Sequence, residues 1–162
     1  VLFRDYGGVL HPLGLELVDG AAMVNGKPRA KVIKVDFFCW LPLLADMLAE
    51  HPDVRLVVHS SWRESHTPAA LGAYLGALAP RYLGGTADGD KLASIDAWLA
   101  AHPEVTSYRM LDDVVLAETA DESDEPYPRE EFILCHYQKG ISCPGVRHQL
   151  QQWLRNTAPT PT

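Results

Sequence analysis

Short apolar segments alternate with amphipathic segments along most of this chain, and that order limits the possible folds more than any other feature of the sequence. The apolar segments have the length of strands and occupy residues 1–4, 54–58, 82–83, 108–111 and 132–135. Strands that alternate with helices are typical of a parallel sheet covered on both faces. The sequence therefore predicts an α/β domain with a doubly wound, mainly parallel sheet.

The segments between the predicted strands carry apolar residues three and four positions apart, which is the spacing of a helix with one buried face. Each of them begins at a capping residue or at a proline: residues 37–48 behind Asp36, a segment opened by Thr67 and Pro68, a segment from about Asp90, and residues 144–154. We therefore expect helices in these places.

The length of 162 residues suits one core, and we expect a single domain over residues 1–155 with a flexible tail at 156–162. Within this domain, residues 15–33 contain the pair Asn25-Gly26, which favours a tight hairpin turn. That segment is predicted to form a small β-hairpin flap. The acidic residues 118–131, which include two prolines, predict a solvated loop.

Charge, cysteine content and hydropathy argue against several classes of protein. The formal net charge of −7 leaves no global basic surface of the kind that binds nucleic-acid backbones, which disfavours nucleic acid as a general partner. Three cysteines without a Cys-x-x-Cys pair indicate neither a disulfide framework nor a zinc knuckle. The sequence shows no basic-then-apolar leader and no apolar run of bilayer length, so we expect a cytoplasmic protein without a membrane partner.

Polar residues that can bind phosphate or metal lie just beyond three of the predicted strands. Asp5 follows the first strand, Ser60 and Ser61 follow the second, and Asp112 and Asp113 follow the fourth. In a doubly wound sheet these strand ends line one crevice, which is the usual ligand site. Turns after strands favour Asp, Ser and Gly in any case, so the prediction of a site rests on all three clusters occurring together.

These clusters and their neighbours resemble the haloacid-dehalogenase-like (HAD) superfamily. The first motif of that superfamily, an apolar strand followed by Asp-x-Asp-Gly and a small apolar pair, is matched by Leu2 to Leu10. The continuation His11-Pro12, the segment Val57 to Arg63 and the segment Leu111 to Asp113 look like the small HAD domains associated with bacterial RNA-repair proteins. The resemblance implies a Rossmann-like fold. Since only residues 15–33 are available to cover the crevice, we expect no large cap domain.

The resemblance also implies a metal-dependent phosphatase. Asp5 would attack phosphorus and form an aspartyl-phosphate, which divides hydrolysis into two easier displacements. Mg²⁺ would be bound by Asp5, by the backbone carbonyl of Gly7 and by Asp112, because hard cations take oxygen ligands. Asp113 would be a further ligand or would lie directly behind the ligands.

The same resemblance assigns other residues to the phosphoryl group. Ser60, with Ser61 as the less favoured candidate, would hydrogen-bond a phosphoryl oxygen, and Gly8 would also lie against the substrate. Lys91 would neutralise developing charge, although a solvent-facing lysine on an amphipathic helix is at least as good an interpretation. Arg63 could clamp a ligand together with the tryptophan before it, or that tryptophan could simply pack beside the second helix.

Two residues depart from the superfamily pattern. Gly7 stands where relatives carry a second aspartate, which protonates the leaving group and later activates water. General acid–base help is typically worth about 10²- to 10⁴-fold in rate, so we expect a slow enzyme unless His11, His59 or an acid from the flap replaces it. Arg4 occupies a position that is normally apolar. If buried it would need a partner such as a carboxylate or the phosphate of the ligand, and exposure is the preferred expectation.

The sequence therefore predicts a Mg²⁺-dependent phosphomonoester hydrolase with a relatively open crevice. An open crevice would admit a bulky phosphorylated substrate. The resemblance favours the end of a nucleic acid, whereas the negative net charge speaks against it. The alternative is a catalytically inactive HAD-like module that binds a phosphorylated ligand or a protein partner, and Gly7 and Arg4 support that alternative.

Overall fold

The computed structural model of the protein describes residues 1–18, 21–24, 27–28, 37–118 and 127–157. The strands in this part of the chain are β1 (Leu2–Arg4), β2 (Leu15–Val18), β3 (Ala21–Val24), β4 (Lys27–Pro28), β5 (Leu56–Val58), β6 (Tyr82–Gly85), β7 (Arg109–Asp112), β8 (Ala117–Glu118), β9 (Tyr127–Pro128) and β10 (Phe132–Leu134). The α-helices are α1 (Leu41–Leu48), α2 (Pro68–Ala73), α3 (Lys91–Ala101) and α4 (Pro144–Thr157), and short 3₁₀ helices span Ser61–Glu64 and Gly76–Arg81.

The central sheet contains five parallel strands in the order β10-β7-β1-β5-β6. β1 lies in the middle, since Leu2 pairs with Leu56 of β5 on one side and with Arg109 of β7 on the other. The chain builds outwards from β1 through β5 to β6 and then returns to the other side of β1 for β7 and β10. This arrangement confirms the predicted doubly wound α/β fold, and the strand order reverses between β1 and β7.

Helices cover both faces of the central sheet, because successive side chains of a strand point to opposite faces. Leu2 and Val58 face the core that also contains residues of α1, α2 and α4. Phe3 and Val57 face the other core, which they share with Ile95 of α3. The mostly apolar sequences of the strands are therefore explained by burial on both sides.

Helix α1 begins later than the sequence predicted. Its first residue is Leu41 rather than Phe37, and the predicted cap Asp36 lies outside the described residues. Phe38 has a φ of +54°, a left-handed conformation that a right-handed helix cannot contain. A helix that began at Phe37 would also hold Pro42 in its interior, where the ring clashes with the preceding turn. In α1 this proline lies in the first turn, where it is tolerated.

Helices α2 and α3 begin where the capping residues predicted. The Thr67 hydroxyl oxygen accepts a hydrogen bond from the Ala70 N–H at 3.2 Å. The Asp90 carboxylate accepts one from the Ala93 N–H at 2.7 Å. Both bonds satisfy amide groups that the first turn of a helix leaves unpaired. The cap at Asp90 places Lys91 at the very start of α3, next to the carboxyl-end edge of the sheet.

The described part of the predicted flap forms an antiparallel sheet in the order β2-β3-β4. Val24 of β3 lies opposite Lys27 of β4, which confirms the hairpin, although the predicted turn residues Asn25-Gly26 lie outside the described residues. Within the described ranges no large cap domain is present. None of the described helices is long and apolar enough to span a lipid bilayer.

The prediction of a solvated loop at 118–131 is wrong at both of its ends. Strands β8 and β9 pair there in an antiparallel ribbon, and residues 119–126 between them lie outside the described part. Arg129 donates to Asp96 of α3 at 2.5 and 2.6 Å and to Glu118 at 2.7 Å. These charge-assisted bonds hold the ends of an otherwise acidic segment against the domain. Helix α4 continues to Thr157, and the domain boundary at 155 stays a prediction.

Candidate functional site

The carboxyl ends of β1 and β7 meet where the strand order of the sheet reverses. Asp5 directly follows β1, and Asp112 is the last residue of β7. The Asp5 N–H donates a hydrogen bond to the Leu111 carbonyl at 3.0 Å, which continues the pairing of the two strands to this edge. A reversal point of this kind forms a crevice beyond the strand ends and is the usual ligand site of such folds.

Asp5, Asp112 and Asp113 converge in this crevice. Each offers a carboxylate oxygen, and the three oxygens lie within 4.8 Å of one another. The Asp5 residue is 6% exposed and Asp112 is fully buried. Negative charges so close together and so poorly hydrated are unfavourable without a compensating cation. The donor set is all oxygen, which fits a hard divalent ion such as Mg²⁺.

Lys91 brings positive charge to the same place. From the first turn of α3, its Nζ atom donates to Asp5 Oδ2 at 2.5 Å and to Asp112 Oδ2 at 2.7 Å. Burial by itself would lower the pKa of Lys91, but the charges of Asp5 and Asp112 outweigh it, so the pKa lies above its usual value. Lys91 is therefore a charged group inside the crevice rather than a solvent-facing lysine.

The Asp112 carboxylate is held by several neighbours. Besides Lys91, the His59 Nε2 atom lies 2.9 Å from Oδ2, and the Val114 N–H donates to Oδ1 at 3.0 Å. Burial by itself would raise the pKa of Asp112, but the hydrogen bonds and charges of His59 and Lys91 outweigh it. The pKa of Asp112 therefore lies below its ordinary range, and the group is ionised at neutral pH.

Asp113 packs closely against Gly8. A Cβ atom at Gly8 would lie 2.5 Å from Asp113 Cγ, and the φ of +71° at Gly8 is left-handed, so both space and backbone require glycine there. Burial, a hydrogen bond with Asp112 and the negative charges of Asp112 and Asp5 raise the pKa of Asp113 to about 7. A substrate contact of Gly8 stays a prediction, whereas its contact with Asp113 is observed.

Of the two candidate serines, Ser60 is the buried one. Its Oγ atom accepts a hydrogen bond from the Trp62 N–H at 3.3 Å, which leaves the hydroxyl hydrogen to donate. Ser61 is exposed and begins the 3₁₀ helix that follows β5. The geometry favours Ser60 as the donor to a phosphoryl oxygen, and the role itself stays a prediction.

The Arg63 side chain donates hydrogen bonds to backbone carbonyls. Nε donates to the Ala87 carbonyl at 2.9 Å, and Nη2 donates to the Gly89 carbonyl at 2.8 Å. Nη1 donates to the Ser60 carbonyl at 2.9 Å and also to the His59 carbonyl. These bonds tie the end of β5 to the loop that leads into α3. They favour a role in positioning Ser60 and the start of α3, while a direct substrate contact of Arg63 stays a prediction.

Gly7 leaves room for the side chain that the superfamily pattern has there. A Cβ atom at Gly7 would meet Leu13 Cδ1 at 3.6 Å, which is an ordinary van der Waals contact. His11, one candidate to replace the missing acid, is fully buried against the rings of Phe38 and Trp62. This burial lowers the pKa of His11 to about 4, so the imidazole carries no spare proton at neutral pH. Trp62 is core rather than an exposed clamp.

The expectation that Arg4 is exposed is wrong. The side chain is fully buried on the face of β1 that carries Leu2, and its Cζ atom lies 4.8 Å from the centre of the Tyr6 ring. Among the described residues its guanidinium nitrogens have no hydrogen-bond partner, and desolvation lowers its pKa. A central strand of a doubly wound sheet is buried on both faces, so Arg4 cannot reach water. The cation–π contact with Tyr6 offsets part of the cost.

The contact of His59 with Asp112 was not predicted from the sequence, which suggested His59 only as a substitute acid. A signal was present in the strand periodicity. Val57 and Met110 face the same core, and residues two positions further along each strand face the same way. That alternation places His59 and Asp112 on one face, on either side of Asp5.

Comparison with known proteins identifies the family. The family model described as the HAD domain in Swiss Army Knife RNA repair proteins matches residues 1–146. No curated protein and no solved structure gives a significant match. The matched range contains the whole central sheet, Asp5, Lys91 and the acidic pair Asp112-Asp113. The chain therefore belongs to the family of HAD domains in Swiss Army Knife RNA repair proteins.

Proposed function

We propose that this protein is a Mg²⁺-dependent phosphatase that hydrolyses a phosphomonoester through an aspartyl-phosphate at Asp5. The observation that carries this proposal is the meeting of Asp5, Asp112 and Asp113 within 4.8 Å at the reversal point of the sheet, with Lys91 Nζ 2.5 Å from the proposed nucleophile. Membership in a HAD family supports phosphatase-type chemistry. Ser60 and Lys91 are placed to bind the phosphoryl group in both displacement steps.

In the first step an Asp5 carboxylate oxygen forms a bond to phosphorus while the bond from phosphorus to the leaving oxygen breaks. In the second step water attacks the same phosphorus, Asp5 is released as a carboxylate, and inorganic phosphate leaves. Lys91 and the Ser60 hydroxyl would bind the phosphoryl oxygens, where negative charge develops. Mg²⁺, held by Asp5, Asp112, Asp113 and the Gly7 carbonyl, would supply electrostatic stabilisation of that charge.

Among the described crevice residues, none that is not already assigned to the metal or the phosphoryl group can donate the proton for the leaving oxygen. Gly7 carries no acid, His11 is buried and neutral, and His59 uses its Nε2 atom on Asp112. An acid from the flap stays open as a donor. We therefore propose that the rate depends steeply on the leaving group, with good leaving groups hydrolysed much faster than alkyl phosphates.

An inactive module that binds a phosphorylated ligand or a protein partner is the second candidate function. Gly7 favours the inactive module, because a protein that does not catalyse hydrolysis does not need the acid. The contact of Lys91 with Asp5 argues against it, since binding a phosphate does not require a lysine placed on the proposed nucleophile. The two candidates differ in whether phosphate is released.

The natural substrate that we propose is a phosphorylated nucleic-acid end, and the support is the RNA-repair context in the description of the family. The hairpin flap leaves the described crevice without a large cap, which suits a bulky substrate. The formal charge of −7 implies that such binding depends on local contacts and not on a basic surface. The cytoplasmic location stays a prediction.

The test is release of phosphate from an aryl phosphate, from a 5′-phosphorylated RNA oligonucleotide and from its 3′-phosphorylated counterpart, each with Mg²⁺ and with EDTA. We expect turnover that requires Mg²⁺ and that is abolished in Asp5→Asn. Asp46→Asn, which changes an exposed carboxylate of α1, is the matched control and should behave as the wild type. Absence of turnover together with retained phosphate binding would establish the inactive module instead.

A further inference from the structure

The two oxygens of the Asp112 carboxylate have different neighbours. Oδ1 accepts the Val114 N–H at 3.0 Å, within the turn that follows β7. Oδ2 is shared by His59 Nε2 at 2.9 Å and Lys91 Nζ at 2.7 Å. Of these neighbours His59 and Lys91 belong to other elements, so their bonds fix the orientation of the carboxylate relative to the rest of the sheet.

Two hydrogen bonds hold the backbone of His59 in place. Its N–H donates to the Arg4 carbonyl at 3.2 Å, which extends the pairing of β5 with β1, and its own carbonyl accepts from Arg63. The side chains of His59 and Asp112 are both 0% exposed. The imidazole therefore reaches Asp112 across the end of the central strand, within the protein and away from the solvent side of the crevice.

The direction of this hydrogen bond follows from its geometry. Asp112 Oδ2 also accepts from Lys91 Nζ, so it acts as an acceptor and His59 Nε2 is the donor. Nδ1 has no hydrogen-bond partner among the described residues, so Asp112 is the only described group that the imidazole contacts through a hydrogen bond.

His59 and Lys91 approach Asp112 from different sides. The Lys91 ammonium lies in the crevice between Asp5 and Asp112, where it repels a divalent ion bound by these two carboxylates. The His59 imidazole lies within the protein, so its bond to Asp112 does not compete with an ion in the crevice.

We propose that His59 is a positioning residue for the metal site: its Nε2–H holds the Asp112 carboxylate in the orientation that binds the divalent ion, in place of any role as proton donor. The inference rests on the proposed function and deepens it. Partners that orient metal ligands typically contribute about 10- to 100-fold to metal affinity.

The test compares two substitutions by calorimetric titration of the substrate-free protein with Mg²⁺ and Mn²⁺. His59→Met keeps the length of the side chain but removes the donor, and we expect binding to weaken by about 10- to 100-fold. His59→Gln keeps an amide N–H near the position of Nε2 and should bind within about threefold of the wild type. His102→Met, beyond the carboxyl end of α3, is the matched control and should bind as the wild type.

A folded His59→Met protein that binds both ions as tightly as the wild type would overturn the proposal, as would weak binding by His59→Gln. If His59→Met does not fold, the position of hydrogen on the His59 imidazole of the wild-type protein provides the test. Nitrogen-15 spectra of the imidazole should show hydrogen on Nε2 with and without Mg²⁺, and an Nε2 resonance that shifts in Asp112→Asn. An Nε2 atom without hydrogen would overturn the proposal. Failure of the wild type to bind either ion would instead refute the proposed function.

Discussion

Gly7 and Gly8 are adjacent, yet the structure gives their side-chain positions opposite surroundings. A Cβ atom at Gly7 would make an ordinary contact with Leu13, whereas one at Gly8 would overlap Asp113 on a left-handed backbone. Space therefore does not explain why the chain lacks the aspartate that the superfamily carries at position 7. The position is open to the acid, and its absence can be tested directly.

Gly7→Asp should raise turnover by about tenfold or more on alkyl phosphates, because it supplies the missing acid, and by less on aryl phosphates, whose leaving groups need little protonation. Steady-state kinetics on both substrates measures the effect. Gly8→Ala is the contrasting variant. Its free energy of unfolding, measured with urea, should be lower than that of the wild type by about 1 kcal/mol or more. A folded Gly7→Asp protein with an unchanged or lower rate would show that another residue already donates the proton.

Asp113 makes the metal-free protein sensitive to pH. Its pKa is raised to about 7 in the folded protein, against 3.8 for the ordinary carboxyl group, so the folded protein retains a proton that the unfolded chain loses. The free energy of unfolding should therefore fall as pH rises from about 4 to about 7. Asp113→Asn should reduce this decrease in the free energy of unfolding by about 1 kcal/mol or more. The figure allows for the partial exposure of Asp113 to solvent.

Urea unfolding in EDTA at pH 5 and pH 8 measures this difference between the wild type and Asp113→Asn. Adding Mg²⁺ at pH 8 should restore stability to the wild type, since the ion compensates the ionised carboxylate. If the wild type and Asp113→Asn lose equal stability between the two pH values, Asp113 does not titrate in this range. The electrostatic repulsion among the three carboxylates is then weaker than their geometry implies.

At the scale of elements, Arg63 in the 3₁₀ helix after β5 connects the end of β5 with the loop before α3. It donates to the carbonyl of Ser60 and to two carbonyls of the loop that leads to Lys91, the first residue of α3. Arg129, which follows β9, pairs with Asp96 of α3 and with Glu118 of β8. The Arg63 bonds lie beside the crevice, and the Arg129 bonds lie along the flank of the domain.

Arg63→Lys should destabilise the fold by about 2 kcal/mol, because lysine cannot reproduce the planar fork of bonds to separate carbonyls. It should also lower kcat by roughly tenfold through misplaced Ser60 and Lys91. Arg129→Lys is the matched control and should change stability with little change in kcat. A large rise in KM with kcat unchanged in Arg63→Lys would indicate that Arg63 binds substrate directly.

For the whole molecule, the proposed metal site would link distant parts of the chain. Asp5 follows β1, while Asp112 ends β7 more than a hundred residues later and Asp113 follows it. An ion that binds all three would therefore stabilise the packing of the two central strands and hence the complete sheet. Binding should appear as a change in global unfolding and not as a local effect.

Mg²⁺ at about 100 times its Kd should stabilise the protein by about 2.7 kcal/mol. For a chain of this length that corresponds to a rise in Tm of about 5 to 10 °C. Differential scanning calorimetry with Mg²⁺ and with EDTA measures the shift, which should vanish in the double variant Asp5→Asn, Asp112→Asn. An equal shift in that double variant would place the ion elsewhere on the surface.

Much of this protein is determined locally by its sequence. The alternation of strands and helices, the caps at Thr67 and Asp90 and the acidic strand end at Asp112 all depend on neighbours within a few residues. Such short-range signals are visible in periodicity and residue type, because each element must bury its apolar face and satisfy its own backbone ends. The doubly wound sheet and the crevice at its carboxyl edge follow from them.

Only the tertiary structure decided the features that depend on residues far apart in the chain. Arg4 is buried because β5 and β7 flank its strand and helices from later parts of the chain cover the face on which its side chain lies. His59 meets Asp112 across 53 positions, and Lys91 reaches Asp5 across 86. Strand periodicity indicates which face each side chain of a strand lies on, but not which side chain it contacts, because the contacts form only when the sheet has assembled.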